Sequence, residues 1–163
     1  RQFLEEEENL LLRDNVKMHF TASAWVLNPS KNKVLMLYHN IYQSWSWSGG
    51  HADGEGDLLS VAMKEVKEES GLVSLKPLSD SPISIEILGV QPHYKKQKYV
   101  SAHLHLNYTF LLHNTKEEKL KICPEENSKV GWLSPDEAVR SSTEAWMKPI
   151  YKKLNQKMRK YLG

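Results

Sequence analysis

The apolar residues near the start of the chain fall into two segments that a short polar stretch separates. Residues 19–27 are rich in strand-forming side chains, and residues 33–39 form a second segment of the same kind. Between them, residues 28–32 carry Asn, Pro and Ser, which are typical of a turn. We therefore expect two strands that pair as a β-hairpin.

Residues 58–70 follow a different period, because their apolar side chains recur every three to four positions. Gly71 stands where a helix commonly ends in a left-handed conformation. At about 100° per residue, the apolar side chains share one side of this helix and are expected to pack on a sheet. The three glutamates at i, i+3 and i+4 occupy one neighbouring arc: Glu65, Glu68 and Glu69.

The rest of the chain alternates between the two kinds of pattern. Further strands are predicted at residues 83–90, 99–113 and 130–133, and helices at 4–13 and 148–161. Another helix opens at residues 134–137, where Ser is followed by Pro. Interleaved strands and helices without a repeat or a linker predict one domain over residues 1–163, of mixed α/β (α+β) class.

Composition excludes several classes of protein. With 40% apolar and 26% charged residues, the chain resembles an ordinary soluble globular domain. Its net charge of +2 argues against a general nucleic-acid-binding surface. No apolar run approaches the roughly 20 residues that span a bilayer, so no membrane partner is expected. Because Cys123 is the single cysteine, a disulfide within the chain and a cysteine zinc cluster are excluded. A reducing, cytoplasmic setting is therefore expected.

The predicted helix at 58–70 carries an unbalanced acidic side. Three crowded carboxylates repel each other, and Lys64, four residues before Glu68, relieves only part of that charge. Hard cations such as Mg²⁺ take oxygen ligands and leave room for water and substrate phosphate. The alternative is a solvated acidic face with no ligand. The preceding loop, residues 49–57, holds four glycines, which permit close approach of the backbone to a ligand and favour the cation.

The loop and helix together resemble the Nudix box, usually written G-x(5)-E-x(7)-R-E-U-x-E-E-x-G-U with U apolar. Aligned on Gly50, the chain departs from this pattern at two positions: Gly56 replaces the first acid and Lys64 replaces the arginine. Lysine keeps the charge but loses the planar fork. Glu55 or Asp57, each one residue from the expected place, could pair with Lys64; the alternative is a partly degenerate box with weakened metal binding. The positions that match are Glu65, Val66, Glu68, Glu69, Gly71 and Leu72.

The likeness extends over residues 20–139. The approach Trp-x-Gly-Gly at 47–50 and the acidic stretch before an aromatic strand at 125–133 are both similar to the family. The resemblance implies the Nudix fold, a mixed β-sheet sandwiched between α-helices. It also implies a Mg²⁺-dependent hydrolase, with Mn²⁺ as an alternative ion, that cleaves a diphosphate linkage in a nucleoside diphosphate derivative. A nucleotide sugar or a nucleoside di- or triphosphate would suit; an alternative is a nucleotide-binding module with weak or no hydrolysis.

The resemblance implies a role for each matching residue. The metal ligands would be Glu65, Glu68 and Glu69, and the general base would come from the helix or the later loop. The catalytic candidates are Glu68, Glu69, Glu125 and Glu126. The substrate-binding candidates are Gly50, His51, Trp45 and Lys64, with Trp45 offering a surface on which a base could stack.

Two weaker features leave their interpretation open. His103 and His105 alternate on a predicted strand; a metal site there would need a third ligand that the sequence does not identify, which favours a polar sheet face. The basic segment 93–99 is expected to be a hairpin tip, either solvated or in contact with a substrate phosphate.

Many members of the family are dimers, and the apolar region 146–154 could form such an interface.

Overall fold

The computed structural model describes residues 8–163. Within that range the chain forms ten strands and three helices. The strands are β1 (Met18–Leu27), β2 (Val34–His39), β3 (Ser44–Ser46), β4 (Ser48–His51), β5 (Leu75–Pro77), β6 (Ser84–Val90), β7 (His93–Lys95), β8 (Lys98–Val100), β9 (His103–Asn114) and β10 (Asn127–Leu133). The helices are α1 (Leu58–Ser70), α2 (Pro135–Ser141) and α3 (Met147–Leu162).

The centre of the main sheet is the parallel pair β1 and β9. Their register runs from Met18 opposite Leu104 to Leu27 opposite His113. The main order is β10-β2-β1-β9-β5, with β3 on β2, β4 on β1 and β6 on β9, and every pairing except β1–β9 is antiparallel. The sheet is therefore mixed, as expected.

Helices cover both faces of this sheet, because successive strand residues point to opposite sides. On one face, α1 buries Ala62 and Val66 against Ala22, Ala24 and other strand residues. On the other face, the fully buried Trp25 of β1 stacks on Tyr151 of α3, with ring centroids 5.4 Å apart. The predicted arrangement, a mixed sheet between helices, is confirmed.

The ends of α1 and α2 follow the signals in the sequence. The side chain of Asp57 accepts a hydrogen bond from the Ser60 amide, and Gly71 ends α1 with a φ of 76°. At α2 the Ser134 side chain and Glu137 form a reciprocal capping box. The predicted bounds 58–70 of the acidic helix are confirmed residue for residue.

The expected N-terminal helix at 4–13 is wrong for the part that lies in the described range; residues 4–7 lie outside it. Residues 8–15 form turns, not a helix. Their carbonyls accept bonds from elsewhere in the chain: the Phe20 amide donates to Leu10 at 2.7 Å and the Gly54 amide to Leu11 at 2.8 Å. The leucines have the spacing of a helix, but hydrogen bonds to residues elsewhere in the chain hold this segment in turns, and the local sequence does not show those bonds.

Two smaller differences concern strands. The expected strand at 99–113 is broken at Ser101–Ala102 into β8 and β9, and β8 pairs with β7 as the predicted hairpin tip. The expected hairpin pairs β1 with β2 in antiparallel fashion at Leu27 and Val34, but β1 makes longer pairings with β4 and β9.

Among residues 8–163, the helices lack the combination of length and apolar character that a membrane crossing requires.

Candidate active site

The acidic side of α1 turns towards β4, and Glu69 is its most buried acid. Its side chain is 6% exposed. Ser48 donates a very short hydrogen bond to Glu69 Oε2, and the backbone of Gly49 also bonds to this carboxyl. Burial raises the pKa of Glu69 to about 8, although both hydrogen bonds favour its charged form. A cation beside Glu69 would relieve that cost.

Glu65 lies one turn earlier on the same side of α1. Burial raises the pKa of Glu65, and the charge of Glu68 raises it further. A Cβ atom on Gly50 would lie only 2.5 and 2.7 Å from the two carboxylate oxygens of Glu65. The absence of a side chain at Gly50 is therefore what lets this carboxylate sit against β4.

The loop before β10 brings a third acid to this place. Glu126 is half-buried and its charge raises the pKa of both Glu65 and Glu69, whereas Glu125 is exposed. The buried side chain of Asn127 donates a hydrogen bond of 2.9 Å to the backbone oxygen of Glu69. This bond ties the loop to the end of α1. We call Glu65, Glu69 and Glu126 the carboxylate cluster.

Glu68 and Lys64 lie on the outer side of α1. The Lys64 ammonium is 3.8 Å from Glu68 Oε1, and both side chains are more than half exposed. Glu55 accepts a bond from the Asp57 amide at 2.7 Å, and Asp57 caps α1, so neither of them takes the place of the missing acid beside Lys64. The expected pairing of Lys64 with Glu55 or Asp57 is wrong.

The loop is held instead by a residue that the sequence did not single out. Arg13 donates two hydrogen bonds to the carboxylate of Asp53, at 2.7 and 2.6 Å. This fork-to-carboxylate pair holds the turn of Asp53 and Gly54, both of which have positive φ. Arg13 precedes the motif by more than thirty positions along the sequence, so no local spacing could have identified it.

The remaining predicted residues lie on the other face of the sheet. Trp45 packs against the core that contains Trp25 and Tyr151, with its ring 5.9 Å from that of Tyr38 in an edge-on contact. His51 ends β4 opposite Thr21 and lies among other histidines, away from α1. The structure thus brings Glu65, Glu69, Glu126 and Gly50 together and places Trp45 and His51 apart from them.

The histidines near His51 form a compact group. His19, His51 and His105 have ligand nitrogens within 4.8 Å of one another, and His103 adjoins them. Burial lowers the pKa of His51 to about 3 and that of His105 to about 2. The nitrogen donors that the sequence could not identify beside His105 thus come from β1 and β4. We call His19, His51, His103 and His105 the histidine cluster.

The carboxylate cluster has the donor chemistry of a hard-cation site. Its oxygens come from two elements, and burial and neighbouring acids raise the pKa of Glu65 and of Glu69. A divalent ion such as Mg²⁺ would be held by Glu65 and Glu69, with Glu126 close by and Glu68 at the outer edge. The residues present fit such an ion.

Comparisons with known proteins agree with this geometry. The family model of the NUDIX domain matches residues 17–154. A search of curated proteins gives no match.

Solved structures of low sequence identity share the fold. An Ap4A hydrolase from C. elegans in a binary complex has a TM-score of 0.63 and 18% identity, over 84% of this chain and 95% of that one. A NUDIX-family hydrolase from Clostridium perfringens has a TM-score of 0.62 and 17% identity, over 86% and 96%. The dihydroneopterin triphosphate pyrophosphohydrolase of E. coli has a TM-score of 0.60 and 16% identity, over 82% and 92%.

The family model covers most of the chain, including the carboxylate helix and the loop that carries Glu126. The chain therefore belongs to the Nudix family of hydrolases.

Proposed function

We propose that this protein is a Mg²⁺-dependent pyrophosphohydrolase that cleaves a diphosphate linkage in a nucleoside diphosphate derivative. The observation that carries the proposal is the convergence of Glu65, Glu69 and Glu126 beside the side-chain-free backbone of Gly49 and Gly50. Ap4A and dihydroneopterin triphosphate, named for two proteins of the same fold, both contain diphosphate linkages. We propose residues 1–163 as one such catalytic domain.

A bound Mg²⁺ would polarise the phosphoryl oxygens and lower the pKa of a coordinated water. The protein holds the ligands for that role in advance. Ser48 and the Gly49 backbone fix the Glu69 carboxyl, and Gly50 leaves Glu65 open to the loop. Such preorganisation avoids moving charged groups during the reaction.

The proposed general base is Glu126. Glu126 approaches Glu65 and Glu69 from a different element, so it can accept a proton from water while these two glutamates of α1 hold the cation. Its loop is anchored twice, since the Asn40 amide donates to the Glu126 backbone oxygen at 2.9 Å and Asn127 binds the end of α1. Glu125, the adjacent residue, is exposed, which is why we propose Glu126 in its place.

A nucleotide-binding module without hydrolysis is the second candidate. The observation that favours it is the loss of the acid at Gly56 and of the arginine at Lys64. The Arg13–Asp53 pair and the Asp57 cap hold the loop in their stead. Because the loop keeps a fixed attachment to the rest of the fold, we favour the enzyme.

The test is a screen of nucleoside diphosphate derivatives with Mg²⁺ or Mn²⁺, scored by the released phosphate products. The enzyme should turn over at least one substrate, and Glu69→Gln should reduce turnover by at least about a hundredfold without loss of folding. Glu117→Gln, at an exposed position, is the matched control. Nucleotide binding without turnover and without dependence on Mg²⁺ would establish the binding module instead.

A further inference from the structure

The histidine cluster lies on the face of the sheet opposite α1. His19 has the same alternation along β1 as Trp25, whose side chain packs under α3, whereas Ala24 packs under α1. His105 is the register partner of His19 in the parallel pair, and His51 is opposite Thr21. Three strands therefore present imidazoles to one place.

The spacing of the rings is that of a metal site. A tetrahedral zinc site with Zn–N bonds of about 2.0 Å places imidazole centres roughly 5 Å apart. The ring of His19 is 5.0 Å from that of His51, 4.8 Å from His103 and 5.1 Å from His105. The ring of His105 is 5.0 Å from His51 and 4.9 Å from His103. The rings of His19, His51 and His105 thus lie at nearly equal separations, and the ring of His103 lies at a similar distance from two of them, His19 and His105.

Two of the four rings are held with Nε2 as the acceptor nitrogen. His19 Nδ1 is 3.1 Å from the Asn15 backbone oxygen, and His103 Nδ1 is 2.8 Å from that of Ser101. Because a carbonyl only accepts, each Nδ1 carries the proton and each neutral ring leaves Nε2 as an acceptor. A bond from the second ring nitrogen to a carbonyl is the usual way in which a metal-binding histidine is oriented.

His19 gives the most direct indication of a missing partner. Its side chain is 4% exposed, and its Nε2 has no hydrogen-bond partner among residues 8–163. Buried polar atoms are almost always paired. A metal ion bound at this Nε2 would supply the missing partner. The Nε2 atoms of His103 and His105 are 3.1 Å apart, and a metal ion would replace their mutual hydrogen bond.

The surroundings favour a cation that binds neutral nitrogen, not an anion. With an ordinary pKa of about 6.5, an imidazole that has no acidic partner is mostly uncharged at neutral pH. Uncharged imidazoles offer little attraction to phosphate, whereas imidazole suits Zn²⁺ and similar transition metals. Mg²⁺ prefers oxygen, so the two clusters suit different ions.

We propose that His19, His51 and His105, with His103 at the fourth position, bind a divalent transition metal of the zinc class. The ion would join the start of β1 and β9 to the end of β4, where the glycine-rich loop begins. This site is independent of the proposed hydrolase activity, because none of its ligands belongs to the carboxylate cluster.

The test is a titration of the metal-free protein with Zn²⁺, and in parallel with Co²⁺, in excess Mg²⁺ to occupy the carboxylates. We expect one tightly bound equivalent, a visible Co²⁺ absorption typical of four-coordinate nitrogen ligation, and a raised melting temperature. His105→Asn should weaken zinc binding at least tenfold. His113→Asn is the matched control, on the same strand but bonded to the Pro29 backbone oxygen, and should bind zinc like the parent protein.

Nitrogen NMR of histidine-labelled parent protein tests the same site without a substitution, so the test survives if His105→Asn does not fold. Zinc should shift the ring nitrogens of the histidine cluster and leave those of His113 in place. Saturating zinc that moves none of the four rings, or zinc affinity equal in folded His105→Asn and parent protein, would overturn the proposal.

Discussion

The carboxylate cluster lies on the face of the sheet that α1 covers, and the histidine cluster lies on the opposite face. Both depend on β4, which places Ser48 beside Glu69 on one face and His51 beside His19 on the other. Burial acts on the two in opposite directions, since it raises the pKa of the acids and lowers that of the imidazoles. In each case burial favours the uncharged form. The chemical difference between oxygen and nitrogen then decides which cation each cluster can hold.

The clusters also differ in how they are assembled along the chain. Glu65 and Glu69 share one helix, so their proximity follows from local geometry. The members of the histidine cluster come from three strands that are far apart in sequence. Local assembly makes the first cluster visible in the sequence, and long-range strand pairing is required for the second.

The largest expected effect separates Glu126 from its neighbour. Glu126→Gln should lower Mg²⁺-dependent turnover by about a hundredfold or more, because the proposed base loses its proton-accepting oxygen. Glu125→Gln, at the exposed adjacent position, should change turnover less than about twofold. Steady-state kinetics of the two variants at saturating Mg²⁺ make the comparison. Equal effects would remove Glu126 from the catalytic role.

A second prediction concerns the backbone beside Glu65. Gly50→Ala places a Cβ against the Glu65 carboxyl, which must swing away. We expect the variant to fold, because the displaced group is the end of a flexible side chain, and to lose Mg²⁺ affinity at least about tenfold. Isothermal titration calorimetry with Mg²⁺ measures this affinity.

Gly56→Ala is the matched control for that change. A Cβ on Gly56 meets nothing within 4 Å, so Mg²⁺ affinity should match that of the parent protein. Unchanged affinity in Gly50→Ala would mean that Glu65 does not ligate the ion.

The smallest expected effect is a pH dependence of stability in the metal-free protein. The folded-state pKa of Glu69 is raised from 4.5 to about 8, so its contribution is fully present below pH 4.5 and lost as the pH rises towards 8. The folded-state pKa of His105 is lowered from 6.5 to about 2, so its contribution is present above pH 6.5 and lost as the pH falls. The melting temperature should therefore decline on both sides of a maximum.

Thermal melts in a chelator from pH 4 to pH 9 check this on parent protein and two variants. Glu69→Gln should flatten the alkaline side by several degrees, and His105→Asn should flatten the acid side. The parent curve is the reference for both. A Glu69→Gln profile that declines as steeply as the parent above pH 6 would show that Glu69 is not the buried acid responsible.

The sequence predicted the parts of the fold whose cause is local. The bounds of α1 follow from its apolar period, the cap at Asp57 and the left-handed Gly71. The opening of α2 follows from Ser134 and Pro135. Turns in place of the N-terminal helix could not be predicted, because the hydrogen bonds that hold residues 10 and 11 come from Phe20 and Gly54.

The candidate site divides in the same way. That Glu65 and Glu69 lie one turn apart on the same side of a helix after a glycine-rich loop was determined by the sequence alone, since helical spacing fixes it. The difference in exposure that leads us to propose Glu126 over Glu125 is visible only in the tertiary structure, where Asn127 anchors their loop.

Tertiary structure alone also decided which histidines lie together. His103 and His105 alternate visibly in the sequence, but their partners come from β1 and β4, which approach β9 only through the register of the sheet. Arg13 likewise reaches Asp53 across the fold to hold the loop that lacks the usual acid and arginine. Local spacing determines what a single helix or turn presents, whereas strand pairing determines which distant side chains meet.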